Sequence, residues 1–518
     1  MSDGWQDKRH RTLVNLCVNS SKGTVFMKAV DASSYKKTGE ALFKLFDEWI
    51  KEIGPQSVIQ VVTDNAKNYG LAKKKIEQRY PHIFTTGCAT HCLDLVLEDF
   101  SKKMPIVRRT VKTAQGITTY IYSHTIVHNL MKEFTKGREL VRPAATRFAT
   151  NFLTLQSLLT QKHALRQMFA SPKWYESEFA KTTEGKSCFE SIYRQSFWRS
   201  VAYVMKISLP VVKVLRITDG EVPPMGFIYE AMERAKLGIK NTLGGKEEKY
   251  MPLWKIIDKR WNENLHSPLH AAGYYLNPQF FYPNSRRILG DEEVCDGFIK
   301  CVENMLPTSI GESVEFSTEI SNYTNARGSF RTNMAMNNRD KQPLVDWWLA
   351  NGSSSPTLQH LAVRILSLTC SASGCERKWS AFENVQTKKR TRLLPKKMND
   401  LVYIRQNQRL QDQAFRKMKI CLEDIDDCNE WIDEAAEQNE MENWDVVEEV
   451  VGVNEANHIT RATTTRASTL QLHDEEEMEE TAEAEETDEV EDPSDDELNE
   501  DDVPLLSDSD QEDEEWDD

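Results

Sequence analysis

The chain has no apolar run approaching the roughly 20 residues of a membrane span, and it opens without a secretory leader. Its ten cysteines are scattered over 518 residues, a pattern that argues against a disulfide framework. No Cys pair is followed by a His pair at zinc-finger spacing, so no zinc finger is expected. Basic residues are missing altogether from 474–518, where 27 Asp and Glu stand without a single Lys or Arg. The expectation is a soluble, intracellular chain with no membrane partner, long enough for two or three domains.

The formal charge of −16 averages two different parts. Residues 421–473 carry 14 acids and 2 bases, which leaves 63 bases against 40 acids in 1–420, a net of +23. A basic body with an acidic tail points to nucleic acid as a partner. From 474 onward, like charges with few apolar groups predict a disordered tail. Its Ser494, Ser507 and Ser509 are flanked by acids and are candidates for phosphorylation. A solubilising tail, or one that mimics nucleic acid and screens the body, are the open readings.

Along the chain, β-branched and apolar residues at 11–18 and 24–30, joined by a turn at 19–23, predict a hairpin. Leu42, Leu45, Phe46, Trp49, Ile50 and Ile53 recur at helical spacing over 38–53. A central strand, apolar on both faces, is expected at 58–62. A helix at 66–79, a strand at 83–86 and a helix at 89–99 follow. From about 100 to 340 the pattern is helical. Further helices are expected at 357–369, from Ser373, and at about 398–415.

Three acids stand out. Asp3 sits in S-D-G-W, Asp64 ends V-I-Q-V-V-T-D, and Glu376 lies in S-G-C-E-R-K-W. Carboxylates delivered from separate elements to one point are what two-metal phosphoryl transfer needs, because they hold two divalent cations about 4 Å apart. Each of the later two also has a plainer use. Asp64 precedes a predicted helix and is placed to cap it; Ser373 and Glu376 have the spacing of a capping box. Cys88, His91 and Cys92 form C-x-x-H-C, three ligand types without a visible fourth.

Taken together, several stretches resemble the hAT family of DNA transposases, in the branch common in plant genomes. S-D-G-W-Q-D-K-R at 2–9, K-G-T-V-F-M-K-A-V-D-A-S at 22–33 and V-V-T-D-N-A-K-N-Y at 61–69 look like the domain that carries the family's first two acids. G-C-A-T-H-C at 87–92, R-P-A-A-T-R-F-A-T at 142–150 and R-W-N-E-N-L-H-S-P-L-H at 260–270 continue the match in order. Residues from about Asp346 to Arg409 look like the family's C-terminal dimerisation region, which implies a homodimer or higher homo-oligomer.

The resemblance implies an RNase H-like α/β fold interrupted by a large all-helical insertion, with the acidic tail appended. Its boundaries would be 1–135 for the first part with two acids, 136–340 for the insertion, 341–418 for the end of the fold with the dimerisation region, and 419–518 for the tail. It implies Asp3, Asp64 and Glu376 as catalytic residues and ligands of Mg²⁺ or Mn²⁺, with cleavage and strand transfer of DNA as the ancestral reaction. It further implies DNA contacts at Arg147 and Phe148, where the family's aromatic is usually Trp, and at Cys88 and His91. Arg377, Lys388, Lys389 and Arg390 are candidate phosphate contacts, with a solvated basic face as the alternative. The expected location is the nucleus, and K-K-R-T-R at 388–392 is a candidate import signal.

Two departures from the family pattern stand against full activity. The strand bearing the first acid should have apolar residues before it, and only Met1 and Ser2 precede Asp3. The family's zinc-binding finger is also missing. The sequence therefore reads as N-terminally truncated and transposon-derived, with Asp3 expected on a fraying end and cleavage lost or impaired. An active transposase or nuclease whose first strand and finger are missing from this chain is the alternative.

Overall fold

The computed structural model describes residues 1–6, 11–20, 23–33, 37–143, 149–220 and 222–376, and further on 397, 400–404 and 407. The class is mixed α/β, mainly helical with small sheets. The described residues of Met1–Phe100 and Lys206–Val453 form one compact unit, and those of Ser101–Met205 another. The stretch expected as one insertion over 136–340 divides between them. The acidic tail lies outside the described residues.

The first unit opens with three antiparallel strands, β1 (Ser2–Gln6), β2 (Thr12–Ser20) and β3 (Gly23–Asp31), in the order β1-β2-β3. The central strand β2 is buried on both faces because its residues alternate between two cores. Val14 and Leu16 face α1 (Gly39–Ile53), whose Leu42, Phe46, Trp49 and Ile50 form one stripe at helical spacing. Leu13 and Cys17 face the other way, toward Phe26, Ala29, Cys375 and Val402. Each large side chain buried in these layers contributes about 1.5–3 kcal/mol. The Thr38 hydroxyl accepts from the Ala41 N–H at 3.2 Å and starts α1; Gly54, at φ +97°, ends it.

A second sheet pairs β4 (Gln60–Thr63) in parallel with β5 (Phe84–Gly87). Parallel strands need a crossover, here α2 (Lys67–Arg79); α3 (Ala89–Lys103) follows β5. The expected hairpin, helix, strand, helix, strand and helix are thus all present, within one residue of their predicted starts at every element but β4, which starts two residues late. β1 also lies against β4, and the short helix Ser373–Glu376 lies against β1 and β2. The helix expected at 398–415 lies mostly outside the described residues; those described at 400–404 and 407 are helical.

Further along this unit, aromatic packing dominates. Trp347 and Trp348 on the helix Leu344–Asn351 are fully buried, with their indole N–H groups donating to Ala335 O and Leu276 O, each at 2.9 Å. The unit Ser101–Met205 is all helical among its described residues, with Phe169, Trp174 and Trp198 buried at its centre. No described helix is long and apolar enough to cross a membrane.

Candidate metal centre

Asp3 is the second residue of β1 and is only 7% exposed. The expectation of a frayed end is not met: the Met1 and Cys17 backbones exchange two hydrogen bonds, at 2.9 and 3.0 Å, and β1 pairs with β2 through Gln6. Asp64 directly follows β4 and is half-buried; one of its carboxylate oxygens accepts from the Ala66 N–H at 3.1 Å. That bond turns the chain toward α2, whose N-cap is Ala66 without a side-chain cap, so Asp64 does not cap the helix. Glu376 closes the helix Ser373–Glu376 and is also half-buried.

The three acids converge electrostatically. Burial, then the nearby charges of Glu376 and Asp64, hold the Asp3 carboxyl well above the usual carboxylate range. The neighbouring Gly4 N–H, at 2.7 Å, and Lys37 pull the other way. Such an excess of hard oxygen donors and negative charge is what a divalent cation neutralises. Yet among the described residues no group of three or more His, Cys, Asp or Glu side chains could hold a metal ion. Mg²⁺ is commonly bound through one or two carboxylates, with water and phosphate filling its other positions. The set therefore fits such an ion in donor type and charge, without forming a complete protein cage.

Lys37 is a cation already present at this place. Its ammonium is felt by both Asp3 and Asp64, while burial lowers its proton affinity. Space for it comes from Gly4, where an added Cβ would stand 2.5 Å from Lys37 Nζ. On the Asp64 side, Lys73 donates to Asp64 O at 3.2 Å and to Asn65 Oδ1 at 3.4 Å.

C-x-x-H-C does not close on one point. Cys88 and Cys92 are buried at 1% exposure each, whereas His91 is exposed. Burial pushes the Cys88 thiol up to about 11 and the Cys92 thiol to about 12. Cys88 Sγ accepts from the Ala372 N–H at 3.3 Å and lies 3.5 Å from Ser371 Oγ. With Ala89 N–H donating to Cys370 O at 2.8 Å, this joins the start of α3 to the segment that leads to Glu376. Of the two residues expected at the DNA, Cys88 is thus enclosed by the 370–372 segment, and His91 is exposed. Arg147, Phe148, Arg377, Lys388, Lys389 and Arg390 lie outside the described residues.

Sequence reasoning missed three supports of this centre. The π-helical turn Trp261–Leu265 packs on the end of β5, where any Cβ at Gly87 would collide with Asn264 O, and Arg260 anchors it to Asp99 at 2.8 Å. Asn407 exchanges two 3.0 Å hydrogen bonds with the Phe26 backbone on β3. Asn15, opposite Asp3 in the β1–β2 register, is fully buried. The first two lie inside or beside stretches already singled out, but no local pattern gives their partners.

This is an α/β protein whose carboxylates are gathered from two small sheets and a late helix. Family models match two stretches: a domain of unknown function, DUF659, over 1–117, and the hAT family C-terminal dimerisation region over 322–408. Over these two stretches the chain is similar to hAT-family transposase-like proteins, and the second match is to the region named for that family's dimerisation. No curated protein matches it.

Proposed function

We propose that this chain is a DNA-binding, self-associating protein derived from a transposase, built on an RNase H-like core. In this reading Asp3, Asp64 and Glu376 still attract Mg²⁺ or Mn²⁺, while cleavage and strand transfer are lost or impaired. The observation that carries it is the convergence of Asp64 and Glu376 on the buried Asp3 carboxyl.

The strand arrangement supports the RNase H-like part. β3, β2 and β1 are antiparallel, β1 lies beside β4, β4 runs parallel to β5, and the Glu376 helix crosses β1 and β2. DNA binding is supported by the net +23 of residues 1–420. A bound divalent ion would activate the attacking oxygen and stabilise the leaving one. The chain's own groups work against tight binding. Asp3 must give up a proton, and the Lys37 ammonium already offsets part of the charge. Geometry carries most of the rate in such centres, so loosely gathered ligands cost activity first. DNA binding, the nucleus as the place of action, and the phosphate contacts at Arg377, Lys388, Lys389 and Arg390 belong to this same reading.

The second reading, an active nuclease, is favoured by one observation: Asp3 is fixed in a paired strand. The test is incubation of the full chain with supercoiled and hairpin DNA in Mg²⁺ or Mn²⁺, beside the double variant Asp64→Asn, Glu376→Gln. The proposal expects both proteins to bind DNA, more weakly as salt rises, and to cleave it equally poorly. Cleavage present in the wild type and lost in the variant would establish the active reading. Absence of DNA binding at low salt would reject both.

A further inference from the structure

The centre of the three-stranded sheet contains a buried polar side chain. Asn15 is fully buried, and among the described residues neither its Nδ2 nor its Oδ1 has a hydrogen-bond partner. Leaving a buried amide unpaired costs about 1–3 kcal/mol per group, so its presence calls for a use. The surrounding strand does not supply one. Leu13 and Cys17, two residues to either side on the same face, are apolar and packed against Cys375 and Val402. An aliphatic residue would suit that layer better.

The register says what Asn15 faces. Asp3 and Asn15 are directly opposite on β1 and β2. Opposed residues on antiparallel strands project to the same side, with Cβ atoms about 4.5–5.5 Å apart. Asn15 therefore stands beside the Asp3 carboxyl, on the face crossed by the helix that ends in Glu376.

We infer that Asn15 is a positioning residue for a divalent cation at the carboxylate centre. Its amide would donate to the Asp3 carboxylate, and its carbonyl oxygen would accept from a water held by the cation. An amide suits this place because it can donate to an anion and accept from water at once, and it adds no charge to an already crowded site. The inference rests on the carboxylate reading given above. It adds a fourth residue, which neither the acids' sequence contexts nor the family matches indicate.

The test measures Mn²⁺ affinity of the full chain by the loss of the free-ion EPR signal, and thermal unfolding in EDTA. Asn15→Leu should weaken the acid-dependent Mn²⁺ binding by about 10–100-fold, the usual cost of losing a group that orients metal ligands. The same variant should unfold in EDTA at or above the wild-type temperature, since an unpaired buried amide has been replaced by an apolar group of similar size. Wild-type affinity in Asn15→Leu would overturn the inference. If Asn15→Leu does not fold, Asn15→Ala is held to the same affinity criterion. The carboxylate reading fails separately, if Asp64→Asn, Glu376→Gln binds Mn²⁺ as well as the wild type does.

Discussion

At pH 8 in EDTA, Asp3→Asn unfolds at a higher temperature than the wild type. The native fold holds the Asp3 proton more tightly than the unfolded chain does, because burial and the charges of Glu376 and Asp64 oppose ionisation. Its stabilising contribution is therefore complete below the unfolded carboxyl's pKa of about 4 and is lost as pH rises through the higher folded value. At pH 8 the wild type carries the cost of a buried charge, and the asparagine does not. Each tenfold of displaced proton affinity is worth about 1.4 kcal/mol, or roughly 3–6 °C in the midpoint of a domain of 150–250 residues.

The gap between the two proteins should close as pH falls toward 4. Mg²⁺ should reverse the order at pH 8: it raises the wild-type midpoint by binding the ionised carboxylate, and leaves Asp3→Asn unmoved. A wild type more stable than Asp3→Asn in EDTA at pH 8 would mean that the Asp3 charge is compensated, with Lys37 as the group to examine.

The second large effect lies in the region matched as a dimerisation module. Trp348→Ala should abolish cooperative unfolding, or lower its midpoint by more than 10 °C. Trp348 is fully buried inside one chain, rests against Tyr323 at 4.9 Å between ring centres, and donates to Leu276 O at 2.9 Å. Truncating a buried Trp costs about 3–5 kcal/mol, and the stranded carbonyl adds about 1–3 kcal/mol. Against a total stability of about 5–15 kcal/mol, that is a major share.

Leu349 on the same helix is 59% exposed. Leu349→Ala should change thermal stability by about 0.5 kcal/mol or less. Thermal melts of the two variants separate chain core from exposed surface. Equal effects would place the tryptophans at the subunit interface.

Much of the framework was legible because its signals are local. The stripe from Leu42 to Ile53 has helical period, the run before Asp64 is apolar on both faces, and 19–23 is rich in turn formers. Asp64 and Glu376 were legible for the same reason, each at the edge of a recognisable element.

What escaped depends on pairing across the fold. Asn15 reads as one polar residue in T-L-V-N-L-C-V, and only the register with β1 sets it opposite Asp3. Lys37 reads as one of several lysines until Gly4 makes room for it. The fixed position of Asp3 was missed because the Met1–Cys17 hydrogen bonds are non-local. The exposure difference within C-x-x-H-C follows from which side of α3 meets the 370–372 segment, and no spacing rule supplies that.

The most direct measurement of the central proposal, that Asp64 and Glu376 beside Asp3 still attract a divalent cation, is Mn²⁺ binding by the full chain beside Asp64→Asn, Glu376→Gln. Any Mn²⁺ taken up by the 27 acids of 474–518 is common to both proteins and cancels in the difference. The account predicts that the wild type takes up at least one more Mn²⁺ per chain than the double variant. Identical uptake by two folded proteins would contradict it.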